Sequence, residues 1–313
     1  MDTTQWMTPS YGKKYPGAGW MKHLPALFED RDPYVTSGQY AVDLIDSNEI
    51  DPKDLYIVQE ENNPDGLLLQ EMGCQKSVIM CLESPIYASR FYDNSVSDGF
   101  KHKLFFDGGT EHLHFPSFDT DDIQTPVPWA ERKFLCMVTA NKHYSGLGGR
   151  YKDSPSFQWA MKTQLHDYRY NAIQHFYNKP GFDLYGKGWG LEATECHDKI
   201  DTIKNYKYAL CFENGSYPGY ITEKIIDCFV AGVVPVYIGA PDIYDYIPGE
   251  LFIDASLYKN FHEMEDDLMS TRDHPHTSIP AAQEWLKFRG GQKYNNLNFA
   301  KRILEMCEGN YGI

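Results

Sequence analysis

An apolar run over residues 206–214 (YKYALCFEN) ends in Glu213 and Asn214, and a loop with Gly215, Ser216, Pro218 and Gly219 leads into a helical pattern beginning near residues 221–222. Read as a strand, the run delivers two polar side chains to the carboxyl edge of a sheet, where open α/β sheets take their ligands. The start of the next helix carries partial positive charge and favours an anion. Glu223 and Lys224 lie in its first turn. A lysine there opposes the helix dipole, so something negative must offset it. A bound diphosphate would serve, as would Glu223 or another nearby carboxylate. Each charge taken singly also reads as an ordinary solvated surface residue.

The surrounding elements follow from hydropathy. KFLCMVTAN (133–141) reads as a parallel strand with a polar end that includes Asn141, and FDLYG (182–186) as a short strand closed by glycine. Residues 156–178 carry Phe157, Ala160, Met161, Leu165, Tyr168, Ala172, Ile173 and Phe176 near helical spacing. An amphipathic helix from 220 to 231 stops at Gly232, and VVPVYIG (233–239) is the next strand. Such alternation predicts a doubly wound parallel sheet. Before it, YIVQE (56–60), SVIMCLE (77–83) and KHKLFF (101–106) read as short buried strands between turns such as Asn63-Pro64-Asp65-Gly66. Residues 120–131, punctuated by Pro126 and Pro128, read as a linker. The expected domains are therefore 1–128 and 129–313, with the last helix free to return to the first.

Composition narrows the function classes. With 29 Lys+Arg against 44 Asp+Glu the formal charge is −15, which argues against nucleic acid as a partner. The 15% aromatic content suits sugar faces as well as core packing. No apolar run is long enough to span a membrane or to read as a signal sequence. Seven cysteines without a CxxC pair give no disulfide or zinc framework, so the expectation is a reduced, cytoplasmic protein.

The segment 211–248 resembles the signature of the α-1,3-fucosyltransferases, glycosyltransferase family 10. The elements that carry the resemblance are Phe212-Glu213-Asn214, Tyr220-Ile221-Thr222-Glu223-Lys224, Ala231-Gly232, Val234-Pro235-Val236, Gly239 and Tyr246-Ile247-Pro248. Leu82-Glu83-Ser84-Pro85 resembles the family's Glu-Ser-Pro element, Arg169-Tyr170-Asn171 its helix arginine, and Tyr185-Gly186 with Gly188 its Tyr-Gly turn. The likeness covers most of residues 77–255. It departs where many animal relatives carry a Tyr-Arg-Arg-Asp-Ser-Asp strand, since residues 104–114 here read LFFDGGTEHLH. The acceptor pocket is therefore expected to differ, as in a bacterial or viral-type member.

The resemblance implies an α/β protein of GT-B architecture, two Rossmann-like domains facing across a cleft, with GDP-fucose as donor and inversion at the anomeric carbon. Glu83 is then the expected general base, delivered by the apolar run 78–82, and Glu111 its understudy in a polar loop after Gly108-Gly109. Arg169 and Lys224 would grip the diphosphate, with Asn214, Tyr220, Glu223 and Asn141 on donor hydroxyls. No metal is required, Mn2+ or Mg2+ being at most stimulatory, and His112 with His114 lacks a third ligand. The acceptor would be an oligosaccharide, N-acetylglucosamine in an N-acetyllactosamine-type unit. The alternatives are a GT-B transferase for another nucleotide sugar and a non-catalytic glycan-binding protein.

Overall fold

The computed structural model of the chain describes residues 5–7, 19–23, 27, 34–36, 38–60, 65–93, 100–106, 111–141, 153–189, 195–288 and 290–309. Contacts divide it into two units, one of Met1–Pro116, Tyr151–Trp159 and Asn295–Ile313, the other of Ser117–Arg150 and Ala160–Tyr294.

In the first unit six short strands pair in parallel: β1 (Gln5–Met7), β2 (Tyr34–Thr36), β3 (Tyr56–Glu60), β4 (Lys76–Met80), β5 (His102–Phe105) and β6 (Glu111–His112). Their order is β2-β1-β3-β4-β5-β6. Ile57, Ile79 and Phe105 on the strands pack against Ala41, Leu44, Leu69 and Phe91, burying one continuous apolar layer. The final helix, Asn296–Glu308, belongs to this unit. Phe299 meets Trp20 edge-on at 5.4 Å, and Tyr56 Oη donates to Glu308 Oε1 at 2.8 Å.

The second unit has the parallel order β11-β10-β9-β7-β8, from β7 (Lys133–Val138), β8 (Phe182–Tyr185), β9 (Tyr206–Phe212), β10 (Val234–Ile238) and β11 (Ile253–Asp254). β8 lies on one side of β7 and all later strands on the other, so the winding reverses between β7 and β9. In such sheets a crevice opens at that point, beyond the carboxyl ends of the strands. The sheet is buried on both faces, by Ile225, Ile226, Phe229 and Tyr294 among others on one and by Ile173, Phe176, Met264 and Leu268 on the other.

Two expectations change. The helical pattern over 156–178 is two helices, Pro155–Thr163 and His166–Phe176. Backbone groups at the break are taken by the loop after β9: Leu165 N donates to Asn214 O at 3.0 Å and Ser216 N to Thr163 O at 2.7 Å. The proline-rich stretch 120–131 is packed onto the second unit, with Gln124 N on Val230 O at 2.9 Å. Buried Arg132 fastens it further, donating to Val127 O at 2.7 Å and Gly232 O at 2.6 Å.

Gly186 ends β8 at φ +123°, and a Cβ there would stand 2.1 Å from Thr139 O. That close approach lets the 186–189 turn wrap the end of β7, where Trp189 Nε1 donates to Thr139 O at 2.7 Å. Gly186→Ala is expected to cost about 1–3 kcal/mol from backbone strain alone, with the clash in addition. Urea unfolding of the variant against the parent measures it, and equal midpoints would contradict this reading of the turn.

Candidate active site

The site grows from one carboxylate. Glu213 follows β9 directly, its N–H donating to Ile238 O of β10 at 2.9 Å, and it is fully buried. Its Oε1 accepts the N–H of Thr222 at 2.8 Å, and both oxygens accept Thr222 Oγ1 at 2.9 Å. Thr222 is the N-cap of the Glu223–Ala231 helix, so a side chain from the sheet caps the helix and occupies its positive end. Lys224 Nζ lies 3.0 Å from Glu213 Oε2 and 3.4 Å from Glu223 Oε1, and it donates to Thr222 Oγ1 at 2.8 Å. The anion that offsets the lysine is thus built in. Removing one partner of a buried pair typically costs about 3–5 kcal/mol, so this contact fixes the helix on the strand end.

A second lysine joins the first. Lys199, which opens the Lys199–Ile203 helix after an Asp198 cap, sits 2.7 Å from Asp227 Oδ2 and 3.8 Å from Glu223 Oε1. Lys199 and Lys224 line a small pocket with Val138, Thr139, Phe212, Cys211 and Cys228. Burial pulls the Lys224 ammonium's pKa down, but Glu213 and Glu223 outweigh it and raise the value. Burial likewise pushes the Glu223 carboxyl up, and Lys224 with Lys199 outweighs this and brings it to about 2. Asp227 moves the other way, raised by burial and by Glu223.

Arg169 completes the cluster one turn into the His166–Phe176 helix. It is buried, its Nη1 donates to Asn214 Oδ1 at 2.5 Å, and its charge is felt at Lys224. Asn214 Nδ2 donates in turn to Tyr220 Oη at 3.4 Å, and Asn214 and Tyr220 are both buried. The structure therefore brings Arg169, Asn214, Tyr220, Glu223 and Lys224 together. Asn214 and Tyr220 spend these hydrogen bonds inside the protein, aiming the arginine. Asn141 follows β7, donating from Nδ2 to Gly188 O at 2.9 Å and from its N–H to Lys187 O at 2.8 Å, which ties the loops after β7 and β8.

Glu83 lies in the other unit, three residues past β4, with its side chain half-buried. Its carbonyl accepts Tyr92 Oη at 3.1 Å and Cys81 Sγ at 3.3 Å, and the Ser84 carbonyl accepts from Tyr87 N and Ala88 N, so the Glu-Ser-Pro turn is firmly built. Glu111, expected in a loop, is instead in β6, where its backbone pairs in register with Leu104 of β5. Its side chain and Gly108-Gly109 lie outside the described residues. His112 and His114 meet edge-on at 4.7 Å, and among the described residues they belong to no group of three potential metal ligands.

The sequence does not single out Lys199 or Asp227. Lys199 lies 25 positions before Lys224 in a segment with no periodic signal, and only packing of its short helix on the Glu223–Ala231 helix brings it in. Asp227 sits on the same helix as Glu223, one turn on, which is the spacing of residues that share a face.

Two parallel sheets flanked by helices make this a GT-B-like glycosyltransferase fold. It matches a solved α1,3-fucosyltransferase crystallised with GDP-fucose at a TM-score of 0.55, over 99% of this chain and 92% of that one, at 14% identity. The C-terminal model of glycosyltransferase family 10 (fucosyltransferase) matches residues 151–308, half of the sequence, and the chain belongs to that family. It is 33% identical over 107 residues to the α-(1,3)-fucosyltransferase FucT of Helicobacter pylori, a match covering 33% of this chain and 22% of that protein. It is 45% identical over 128 residues to a putative fucosyltransferase-like protein of Arabidopsis thaliana, covering 41% and 21% respectively. The matched segments thus span about a fifth of these relatives' own length. Among the described residues no helix is long and apolar enough to cross a membrane.

Because the Glu223 pKa is lowered from 4.5 to about 2 in the fold, its contribution to stability is present above 4.5 and is lost as pH falls through about 2. The stability gap between the parent and Glu223→Gln is expected to narrow across that window. Thermal melts from pH 5 to pH 2 test it, and a gap that stays constant would contradict the ion-pair assignment.

Proposed function

We propose that the chain is an inverting fucosyltransferase that moves fucose from GDP-fucose to a hydroxyl of a glycan. Family membership and the names of the curated relatives support the reaction class. The observation that carries the donor assignment is the cluster of Arg169, Lys199 and Lys224 where the winding of the second sheet reverses. Departure of a sugar with an oxocarbenium-like transition state leaves charge on the diphosphate, and fixed cations stabilise that charge without waiting for solvent to reorganise. Arg169 offers a planar fork of donors and the lysines compact point charges. With Glu213, Glu223 and Asp227 opposite them, the formal charges balance before any ligand enters. Donor selection then rests on directed hydrogen bonds more than on excess positive charge.

In this reading Asn214 and Tyr220 position Arg169, Tyr220 being too buried for the donor-hydroxyl role expected of it, while Glu223 and Asn141 serve the ribose and fucose ends of the donor. Glu83 takes the proton of the acceptor hydroxyl, with Glu111 as second candidate. No divalent metal is obligatory, and Mn2+ or Mg2+ acts at most as a stimulant. The acceptor is N-acetylglucosamine of an N-acetyllactosamine-type unit, fucosylated α-1,3. None of the seven cysteines is in a disulfide, which fits a reducing compartment such as the cytoplasm.

Incubation with GDP-fucose and a panel of short glycans, read by mass spectrometry, should give a singly fucosylated N-acetyllactosamine. Products from another nucleotide sugar, or none at all, would sink the proposal. Glu83→Gln should abolish transfer while leaving GDP affinity within a few-fold by calorimetry, and normal turnover would remove the base assignment. Lys224→Ala should weaken GDP by about 1.5–3 kcal/mol, as for loss of a hydrogen bond to a charged group. Unchanged affinity would refute its role.

A further inference from the structure

Away from the donor cluster, His175, His262 and Glu265 converge across two packed helices of the second unit. His175 lies in the last turn of the His166–Phe176 helix, and His262 and Glu265 stand three apart on the Phe261–Thr271 helix. One donor atom from each falls within 4.8 Å of the others. His175 Nε2 is 3.0 Å from Glu265 Oε2, and the two imidazole rings meet edge-on with centroids 4.4 Å apart. Tetrahedral ligands at zinc distances lie about 3.4 Å from one another, so small side-chain rotations close the set. Phe261 packs on Tyr168 at 4.9 Å and on His175 at 5.8 Å, which holds the two helices in register beneath it.

We propose that His175, His262 and Glu265 form a three-ligand site for a zinc-class divalent ion, with water in the fourth position. The donor chemistry is that of two imidazoles and one carboxylate, a set suited to zinc. A cation already uses these acceptors: Lys179 Nζ donates to His175 Nε2 at 2.9 Å and also contacts Glu265. The metal takes the place of that ammonium, whose half-exposed stem can swing into solvent. His175 and Glu265 are both half-buried where the two helices pack. His262 is exposed and opens the entry path.

Arg169 lies six residues before His175 on the same helix, about 9 Å along its axis. A bound ion would clamp the far end of the helix that presents this arginine, acting as a structural tie and taking no part in transfer. The inference stands independently of the proposed activity.

Full-length protein stripped with chelator and titrated with Zn2+ alone by calorimetry should bind one ion, and Co2+ should give visible bands of a tetrahedral site. His262→Ala, an exposed change that leaves the fold intact by circular dichroism, should weaken zinc at least about tenfold, as should His175→Ala. Lys179→Met should tighten binding, because the competing ammonium is gone. The proposal is overturned if the parent chain shows no saturable one-to-one binding, if both histidine variants bind as it does, or if Lys179→Met leaves the affinity unchanged or weaker.

Discussion

A buried carboxylate without partners is too costly to keep ionised, so the Glu213 side chain dictates what must surround it. It lies at the seam between β9 and β10 and draws in Thr222 N–H, Thr222 Oγ1 and Lys224 Nζ. Those three groups fix where the Glu223–Ala231 helix begins and which way its first turn faces. Lys224 is thereby aimed into the pocket and kept charged there, and Glu223 is drawn to the same lysine. The rest of the charged cluster is arranged around this contact.

Two further ties complete the arrangement. The loop after β9 interrupts the preceding helical run by taking its backbone groups, and the interruption starts a new helix whose first turn delivers Arg169 to Asn214. On the other side the Lys199–Ile203 helix packs on the Glu223–Ala231 helix and contributes a second ammonium, balanced by Asp227. Each of the two lysines that line the pocket is paired with a carboxylate, Lys224 with Glu213 and Lys199 with Asp227. Each lysine is held in place by a protein anion before any ligand arrives.

Much of the fold and part of the site could be read from the chain alone. The apolar runs that became β3, β4, β7, β9 and β10 announce parallel strands because both of their faces are covered. Gly232, at φ +69°, ends its helix as the pattern predicts, since only glycine takes a left-handed turn without strain. The lysine in the first turn also reported, through the helix dipole, that a negative partner had to be near. The family motif named Arg169, Asn214, Tyr220, Glu223 and Lys224, and these residues do cluster in space.

Long-range contacts decided the rest. Residues 156–178 are helical throughout by local spacing, yet hydrogen bonds from residues some fifty positions later break them at 164–165. Residues 120–131 look like a linker by their prolines, yet a guanidinium reaching Gly232 fastens them down. Glu111 read as loop because its neighbours are glycines, and pairing with β5 made it strand. Composition and periodicity thus determined the longer buried strands and the charge of the 211–224 segment, since these are properties of short stretches. Which anion neutralises Lys224, and that Lys199 stands beside it, depended on bringing distant stretches together, because electrostatic partners are chosen by distance in space and not along the chain.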